Sequence, residues 1–423
     1  MRFIADLHIH SKYSRATSSD MSPESLWKWA QLKGIGVMGT GDITHPAWFR
    51  ELNEKLESAG NGLFRLRREF RTGDVPASCR AEVGFILSAE ISCIYKKGER
   101  TRKVHSILFL PDFPAAARLS IELSKIGNLN ADGRPILGLD AKELLKILME
   151  VSPEAMLVPA HVWTPHFSVF GAESGFDSLE ECFEELTPHI HAIETGLSSD
   201  PPMNWRLSAL DRITLISNSD AHSPAKIGRE ANILDTELSY KGIMEALKTK
   251  QGFTGTIEFF PEEGKYHYDG HRLCGVSLDP KETKRHNYLC PVCGKRVTVG
   301  VMHRMELLAD RAEGSRPGSA PGYRSIIPLP EVLAEALKVG VSSKAVMKGY
   351  LRLLEQLGSE FTILMDTPLD EIGRASNALI REAVARVRAG KVHIAPGYDG
   401  EFGKVKIFEA VERKAIKGQA MLF

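Results

Sequence analysis

Between residue 1 and about residue 260, short apolar runs rich in Val, Ile and Leu alternate with longer stretches whose apolar residues recur every three or four positions. The run from Arg2 to Leu7 predicts a buried strand. Ser22-Pro23-Glu24 then opens a helix with Pro in its first turn, and Gly34 closes it. Further strands are predicted at 35–38, 85–89, 104–110, 155–160, 191–193 and 213–216, and Asp140 caps a helix running to about Val151. Alternating strands and helices predict an α/β fold with a parallel barrel, one strand short of the common eight.

Two stretches break the rhythm. Residues 61–80 hold Arg65, Arg67, Arg68 and Arg71 around Phe64 and Phe70, as an insertion that touches phosphates or as a solvated loop. Residues 162–177 place Trp163, His166, Phe167 and Phe170 among Gly, Ser and Pro, as a loop that grips a substrate or packs on the barrel. Composition shifts after residue 262: from Gly264 to Pro317 there are ten Lys/Arg against six Asp/Glu. Residues 312–322 read as a linker or exposed loop. Helices follow at about 330–339, 343–357 and 376–389, with short strands at 392–394 and 404–408 flanking a turn at Gly397-Tyr398-Asp399-Gly400. The expected division is 1–262, 263–311 and 312–423, with no internal repeat.

Composition narrows the class. A chain of 423 residues suggests two or three domains, and 43% hydrophobic with 26% charged residues is ordinary for a globular protein. No apolar run reaches membrane-spanning length and no secretory signal is evident, so a cytoplasmic location is expected. The 54 Lys+Arg balance 54 Asp+Glu, which argues against a strongly basic coat. Six cysteines in this pattern do not make a disulfide framework.

The chemistry lies at the strand ends. Asp6, His8 and His10 are spaced by two, so in an extended segment they aim to one side. Asp42, Glu90, His161, Glu194, Asp220 and His222 lie at or just after other predicted strand ends; His105 falls near a strand start. His8, His10, Asp42, Glu90, His105, His161, Glu194, Asp220 and His222 are too many for one ion. They suit two or three divalent ions (Zn, Mn, Fe or Mg), with Glu90 or Asp220 shared, and clustered ions suit phosphoester hydrolysis. The imidazoles favour zinc, manganese or iron. The catalytic candidates are His8, His10, Glu90, Asp220 and His222. Separately, His271-x2-Cys274 and Cys290-x2-Cys293 have zinc-ribbon spacing, predicting one structural zinc; His267, His286 and His303 are alternative fourth ligands to His271.

These residues resemble a known family. Asp6-Leu7-His8-Ile9-His10-Ser11, Glu90, His105, Pro159-Ala160-His161 and Ser219-Asp220-Ala221-His222 are similar to the polymerase-and-histidinol-phosphatase (PHP) phosphoesterases over about residues 1–260. The resemblance implies a distorted seven-stranded β/α barrel with a multinuclear metal centre, followed here by a small zinc-binding module and a mainly helical C-terminal domain. Members usually carry Thr-Asp-His after the second strand. Here Gly41-Asp42-Ile43 lacks the His, leaving Asp42, which is favoured, or His45; Ala16 stands where many members place another His. The whole chain, with Cys290-Pro-Val-Cys293-Gly, Gly397-Tyr-Asp-Gly400 and Ser11 to Ser18, resembles the endonuclease Q family. That resemblance implies nicking of DNA 5′ to uracil, hypoxanthine, xanthine and abasic sites by metal-activated hydroxide attack. The alternative is a small-molecule phosphatase of the histidinol-phosphatase type. At the C-terminus, Gln419, Leu422 and Phe423 resemble a shortened sliding-clamp docking peptide, or fold back on the protein.

Overall fold

The structure is a computed structural model and describes residues 1–413. The expected clamp-docking residues Gln419, Leu422 and Phe423 lie outside the described residues. In chain order the first strands are β1 (Arg2–Asp6), β2 (Val37–Gly39), β3 (Leu56–Ser58), β4 (Phe64–Leu66), β5 (Gly84–Lys97) and β6 (Arg100–Leu110). They are followed by β7 (Ile136–Leu137), β8 (Met156–Pro159), β9 (Ala192–Glu194), β10 (Thr214–Ile216), β11 (Ala231–Asp235) and β12 (Phe253–Glu258). All seven expected strands are present. Within the Arg-rich stretch 61–80, Phe64–Leu66 forms β4, which pairs antiparallel with β3 just before it, while Arg65 and Arg68 stay exposed.

The expected parallel barrel is realised as a mixed α/β architecture. β1, β2 and β5 run parallel, whereas β6 is antiparallel to both β5 and β8. β9 and β10 form a separate parallel pair, and β11 and β12 extend the sheet antiparallel from β1. No ladder joins β8 to β9 or β10 to β1 among the described residues. A backbone bond from Val162 N to Glu194 O (3.0 Å) and one from His161 N to the Glu194 carboxylate (2.8 Å) span the first gap. Across the second, Leu7 N donates to Asn218 Oδ1 (2.8 Å) and His10 N to Ala221 O (3.0 Å). The strands still share one apolar interior: Phe3, Ala5, Leu7, Val37, Ile86, Ile107, Val158, Ala192 and Ile216 belong to one buried cluster, as alternation along each strand requires. Tyr240, Ile243, Met244 and Leu247 of the helix Tyr240–Thr249 belong to the same cluster. The Tyr240 hydroxyl donates to Phe109 O and Glu154 O, beside the start of β8, so this helix covers the end opposite the candidate residues.

The later segments pack onto this frame. The strand Gly322–Ser325 pairs parallel with β12, so part of the C-terminal region joins the main sheet and covers its edge. The expected C-terminal helices run Leu329–Leu337, Lys344–Leu357 and Ala378–Arg388. The helix Val301–Leu308 carries Arg304, which donates to Phe170 O (3.0 Å), Phe176 O (2.9 Å) and the Asp177 carboxylate, tying down the aromatic loop 162–177. No helix among the described residues is long and apolar enough to cross a membrane.

One buried ion pair docks the C-terminal helices. The helix Pro23–Lys33 is capped by the Ser22 side chain and ends at Gly34, whose φ of 90° favours glycine; a Cβ there would also collide with Ser359 Oγ. This turn delivers Lys33 Nζ to within 2.8 Å of Glu360 Oε2. Glu360 also accepts from Leu329 N (3.0 Å) and the Tyr350 hydroxyl (2.9 Å). Glu360→Ala leaves Lys33 buried without its partner and should lower the unfolding free energy by about 3–5 kcal/mol. The Lys33→Met, Glu360→Gln double variant should recover most of that loss in urea denaturation. A double variant as unstable as the single one would show that the buried charge is not what the pair controls.

Candidate metal centre

The strand directions place the candidate side chains. β1, β2 and β5 deliver their C-terminal ends to one side of the frame. β6 starts earlier than expected, at Arg100, so His105 stands at the middle of an antiparallel strand, opposite Ser92 in the register, and reaches that same side.

Two groups of ligand atoms form there, each with its atoms within 4.8 Å of one another: His8, His10, Glu90 and Asp220, and Glu90, His105 and His161. Glu90 belongs to both. Its Oε2 lies 3.1 Å from His10 Nε2 and 3.5 Å from His8 Nε2. Its Oε1 lies 2.7 Å from His105 Nδ1 and 3.0 Å from His161 Nε2. Asp220 Oδ1 is 3.1 Å from His10 Nε2. His8 Nε2, His10 Nε2 and Asp220 Oδ1 are buried and make no hydrogen bond among the described residues. Buried lone-pair atoms held this close without hydrogen bonds are costly unless a cation lies between them. The residues therefore fit divalent ions, and a carboxylate with one oxygen in each group fits an ion pair.

Electrostatics agree with this placement. Burial alone would raise the Glu90 pKa, yet His105 and His8, with His10, hold it well below the usual carboxylate range. Burial opposes the charged form of His8, but Glu194 and Glu90 raise it well above its ordinary value. His105 is pushed down to about 4, chiefly by burial, despite Glu90. Asp220, although buried at its Oδ1, is held low by His10 and His8.

Asp42, Glu194 and His222 stand outside both groups, which corrects their expected placement among the converging ligand atoms. Asp42 Oδ2 is occupied by Ser11 N (2.7 Å), Ser11 Oγ (2.7 Å) and Ser14 Oγ (2.9 Å), while Oδ1 meets His10 Nδ1 at 3.1 Å. Glu194 meets His8 Nδ1 at 3.0 Å and accepts from His161 N (2.8 Å) and Asn218 Nδ2 (2.9 Å). Both carboxylates thus orient an imidazole from behind instead of facing the cluster. His222 turns its Nδ1 to Asp220 O (2.8 Å) and packs against the His10 ring at 4.4 Å between centroids. Asp6 accepts from Ser219 N and Gly228 N, bracing the loop that carries Asp220, and burial raises its pKa to about 6. His45 stacks on Tyr13 at 4.6 Å, away from both groups.

Backbone strain collects at the same place. Asp42 (φ 49°), His161 (φ 30°) and Asp220 (φ 46°) all adopt left-handed conformations rare for such residues. Phe167 in the aromatic loop does so too (φ 60°), with its ring 4.8 Å from that of His105. Arg134, whose Nη1 lies 3.1 Å from Glu90 Oε2, is not among the residues expected at the site. Only the turn signal Asp132-Gly133-Arg134-Pro135 marks its loop, and nothing in it points to Glu90.

Away from this centre, His271, Cys274, Cys290 and Cys293 form a third group, with Cys293 Sγ 3.6 Å from His271 Nδ1. Burial would raise the Cys290 thiol pKa, but the backbone N–H groups of Cys293 and Val292 bring it below its usual value, which suits a thiolate ligand. His303 is taken by Asp269 (2.8 Å), and neither His267 nor His286 joins the group.

Residues 328–391 match the family described as the MJ0043 C-terminal domain. The chain is 30% identical over 251 residues to the uncharacterized protein MJ0043 of Methanocaldococcus jannaschii, a match covering 57% of this chain and 31% of that protein. The chain thus spans about a third of that relative's length. It is 28% identical over 421 residues to the uncharacterized protein YqxK of Bacillus subtilis, covering 96% and 99% of the two chains. The crystal structure of the lesion-specific endonuclease PfuEndoQ from Pyrococcus furiosus superposes with a TM-score of 0.84 at 30% identity, covering 97% of each chain. Endonuclease Q in complex with a 27-mer duplex carrying an abasic lesion at the active site superposes with a TM-score of 0.82, also at 30% identity, covering 97% of this chain and 98% of that one. With this identity sustained along nearly the full length of both chains, the protein belongs to the endonuclease Q family.

Proposed function

We propose that this chain is a metal-dependent DNA-repair endonuclease that cuts the phosphodiester on the 5′ side of uracil, hypoxanthine, xanthine and abasic sites. The observation that carries the reading is Glu90, shared between two groups of ligand atoms, the first of which holds His8 Nε2, His10 Nε2 and Asp220 Oδ1 buried without hydrogen-bond partners. It occurs in a chain related along its length to a lesion-specific endonuclease.

In this reading His8, His10, Glu90 and Asp220 hold one ion and Glu90, His105 and His161 a second. His222 lies at the rim, and Asp42 and Glu194 fix the tautomers of His10 and His8 through their Nδ1 atoms. Bound ions would supply an activated water and stabilise charge on the leaving oxygen. The protein's own part is orientation: His8, His10 and His161 are held from behind by Glu194, Asp42 and Thr164, so their other nitrogens stay aimed inward. Asp220 and His222 are the half-exposed members, with side-chain exposures of 26% and 31%, so the phosphate approaches from their side. The aromatic loop beside His105, with Phe167, would line the space for the extruded nucleotide; a lesion that pairs and stacks poorly leaves the helix at lower cost. The group His271, Cys274, Cys290 and Cys293 holds a structural zinc, with four protein ligands and no open position. The proposed division is a catalytic unit over 1–262, a zinc module over 263–311 and a helical unit over 312–423.

Asp220→Asn and His8→Ala should each lower nicking of a uracil-containing duplex by about 10³-fold or more in metal-replete buffer. Affinity for the duplex should hold, because contacts elsewhere to the backbone position it. Near-wild-type cutting by either variant would refute the proposed centre. Phosphate release from small esters by the wild type, with no nick in DNA, would favour the phosphatase reading instead. Cys290→Ser together with Cys293→Ser should remove one equivalent of tightly held zinc and raise proteolytic sensitivity around residues 265–310. Unchanged zinc content in that variant would remove the zinc assignment.

A further inference from the structure

Among the described residues, Arg134 is the guanidinium bonded to the Glu90 carboxylate. It sits on a turn held from both sides. Gly133 N donates to Tyr13 O (3.0 Å), Arg134 N donates to Asp132 Oδ1 (3.1 Å), and Ser92 N of β5 donates to Pro135 O (3.0 Å). Immediately afterwards, β7 pairs with β5. A Cβ on Gly133 would collide with Asp42 Oδ2 and Ser14 Oγ, so the turn lies directly on the carboxylate that orients His10. The backbone under Arg134 is therefore fixed relative to the proposed ligands.

A guanidinium carries five N–H donors. Among the described residues this one makes a single side-chain hydrogen bond, from Nη1 to Glu90 Oε2, and its side chain is 27% exposed beside a fully buried Glu90. Its Nε and Nη2 make no hydrogen bond among the described residues and are not sealed from solvent, so they are free to meet a ligand. With divalent ions on Glu90, that carboxylate's charge would be met by the ions, and a cation held beside them calls for a further anion. The geometry points to a phosphate: we propose that Arg134 binds a non-bridging oxygen of the scissile phosphate and stabilises the charge on it as the P–O bond to the leaving oxygen breaks. A planar fork of donors suits a phosphate better than the point charge of a lysine. This rests on the reading of the centre as a phosphodiesterase.

The test compares wild type, Arg134→Lys and Arg134→Met, each loaded with manganese, with metal content measured alongside. Arg134→Met should lower kcat for nicking by about 10²–10³-fold, the range for losing one fixed donor to transition-state charge, and Arg134→Lys should fall between it and wild type. Inorganic phosphate, measured by calorimetry and as an inhibitor, should bind both variants about tenfold or more weakly, with metal content unchanged. Phosphate binding unchanged in Arg134→Met overturns the proposal. Loss of metal in parallel with activity also overturns it, because Arg134 would then serve only to brace Glu90. Phosphate affinity is read whether or not DNA is cut, so failure of the wild type to nick would count against the proposed function alone.

Discussion

The buried carboxylate of Glu90 is the constraint on which the centre depends. A carboxylate withdrawn from water is costly unless positive charge or hydrogen-bond donors surround it. Here His8, His10, His105, His161 and Arg134 converge on its two oxygens from four different parts of the chain. Four of the five are held by a further group: Glu194 behind His8, Asp42 behind His10, Thr164 beside His161 and the Asp132-Gly133 turn beneath Arg134. The left-handed backbone at Asp42, His161 and Asp220 is tolerated because this packing leaves those residues no alternative placement.

The frame that brings these residues together is completed by side chains where strand pairing stops. Between β10 and β1 the work falls to Asn218. Its carbonyl accepts from Leu7 N and Asn232 Nδ2, and its amide donates to Glu194. Asp6 secures the neighbouring loop through Ser219 N and Gly228 N. The same polar groups therefore span the gap in the sheet and set the orientation of His8. The gap between β10 and β1 therefore lies beside the site, and Asn218 serves both.

The segments beyond residue 262 reach the same centre by packing. Arg304, four residues from the Gly300 amide that Asp269 anchors, fastens the aromatic loop whose Phe167 lies against His105. Lys33 and Glu360 dock the C-terminal helices onto the first helix of the frame. The region carrying His271, Cys274, Cys290 and Cys293 is thus linked through one short helix to the loop at the mouth of the centre.

Local signals were enough to read much of this from the sequence. Apolar periodicity and capping residues marked seven strands and the main helices, because those depend on neighbours a few residues away. The spacing of His8 and His10, and of the two half-sites around Cys274 and Cys290, was legible for the same reason. Glu90, His105, His161 and Asp220 were visible as candidates by residue type and position near strand ends. Tertiary structure alone decided which atoms meet. Asp42 and Glu194 have the right chemistry and position, yet neighbouring amides, hydroxyls and imidazoles take up their oxygens. Arg134 carries no motif, and its role near Glu90 follows from a turn packed against Asp42. The antiparallel course of β6, which brings His105 to the centre, and the pairing of Gly322–Ser325 with β12 also depend on contacts distant in the chain, whose registers no local pattern encodes.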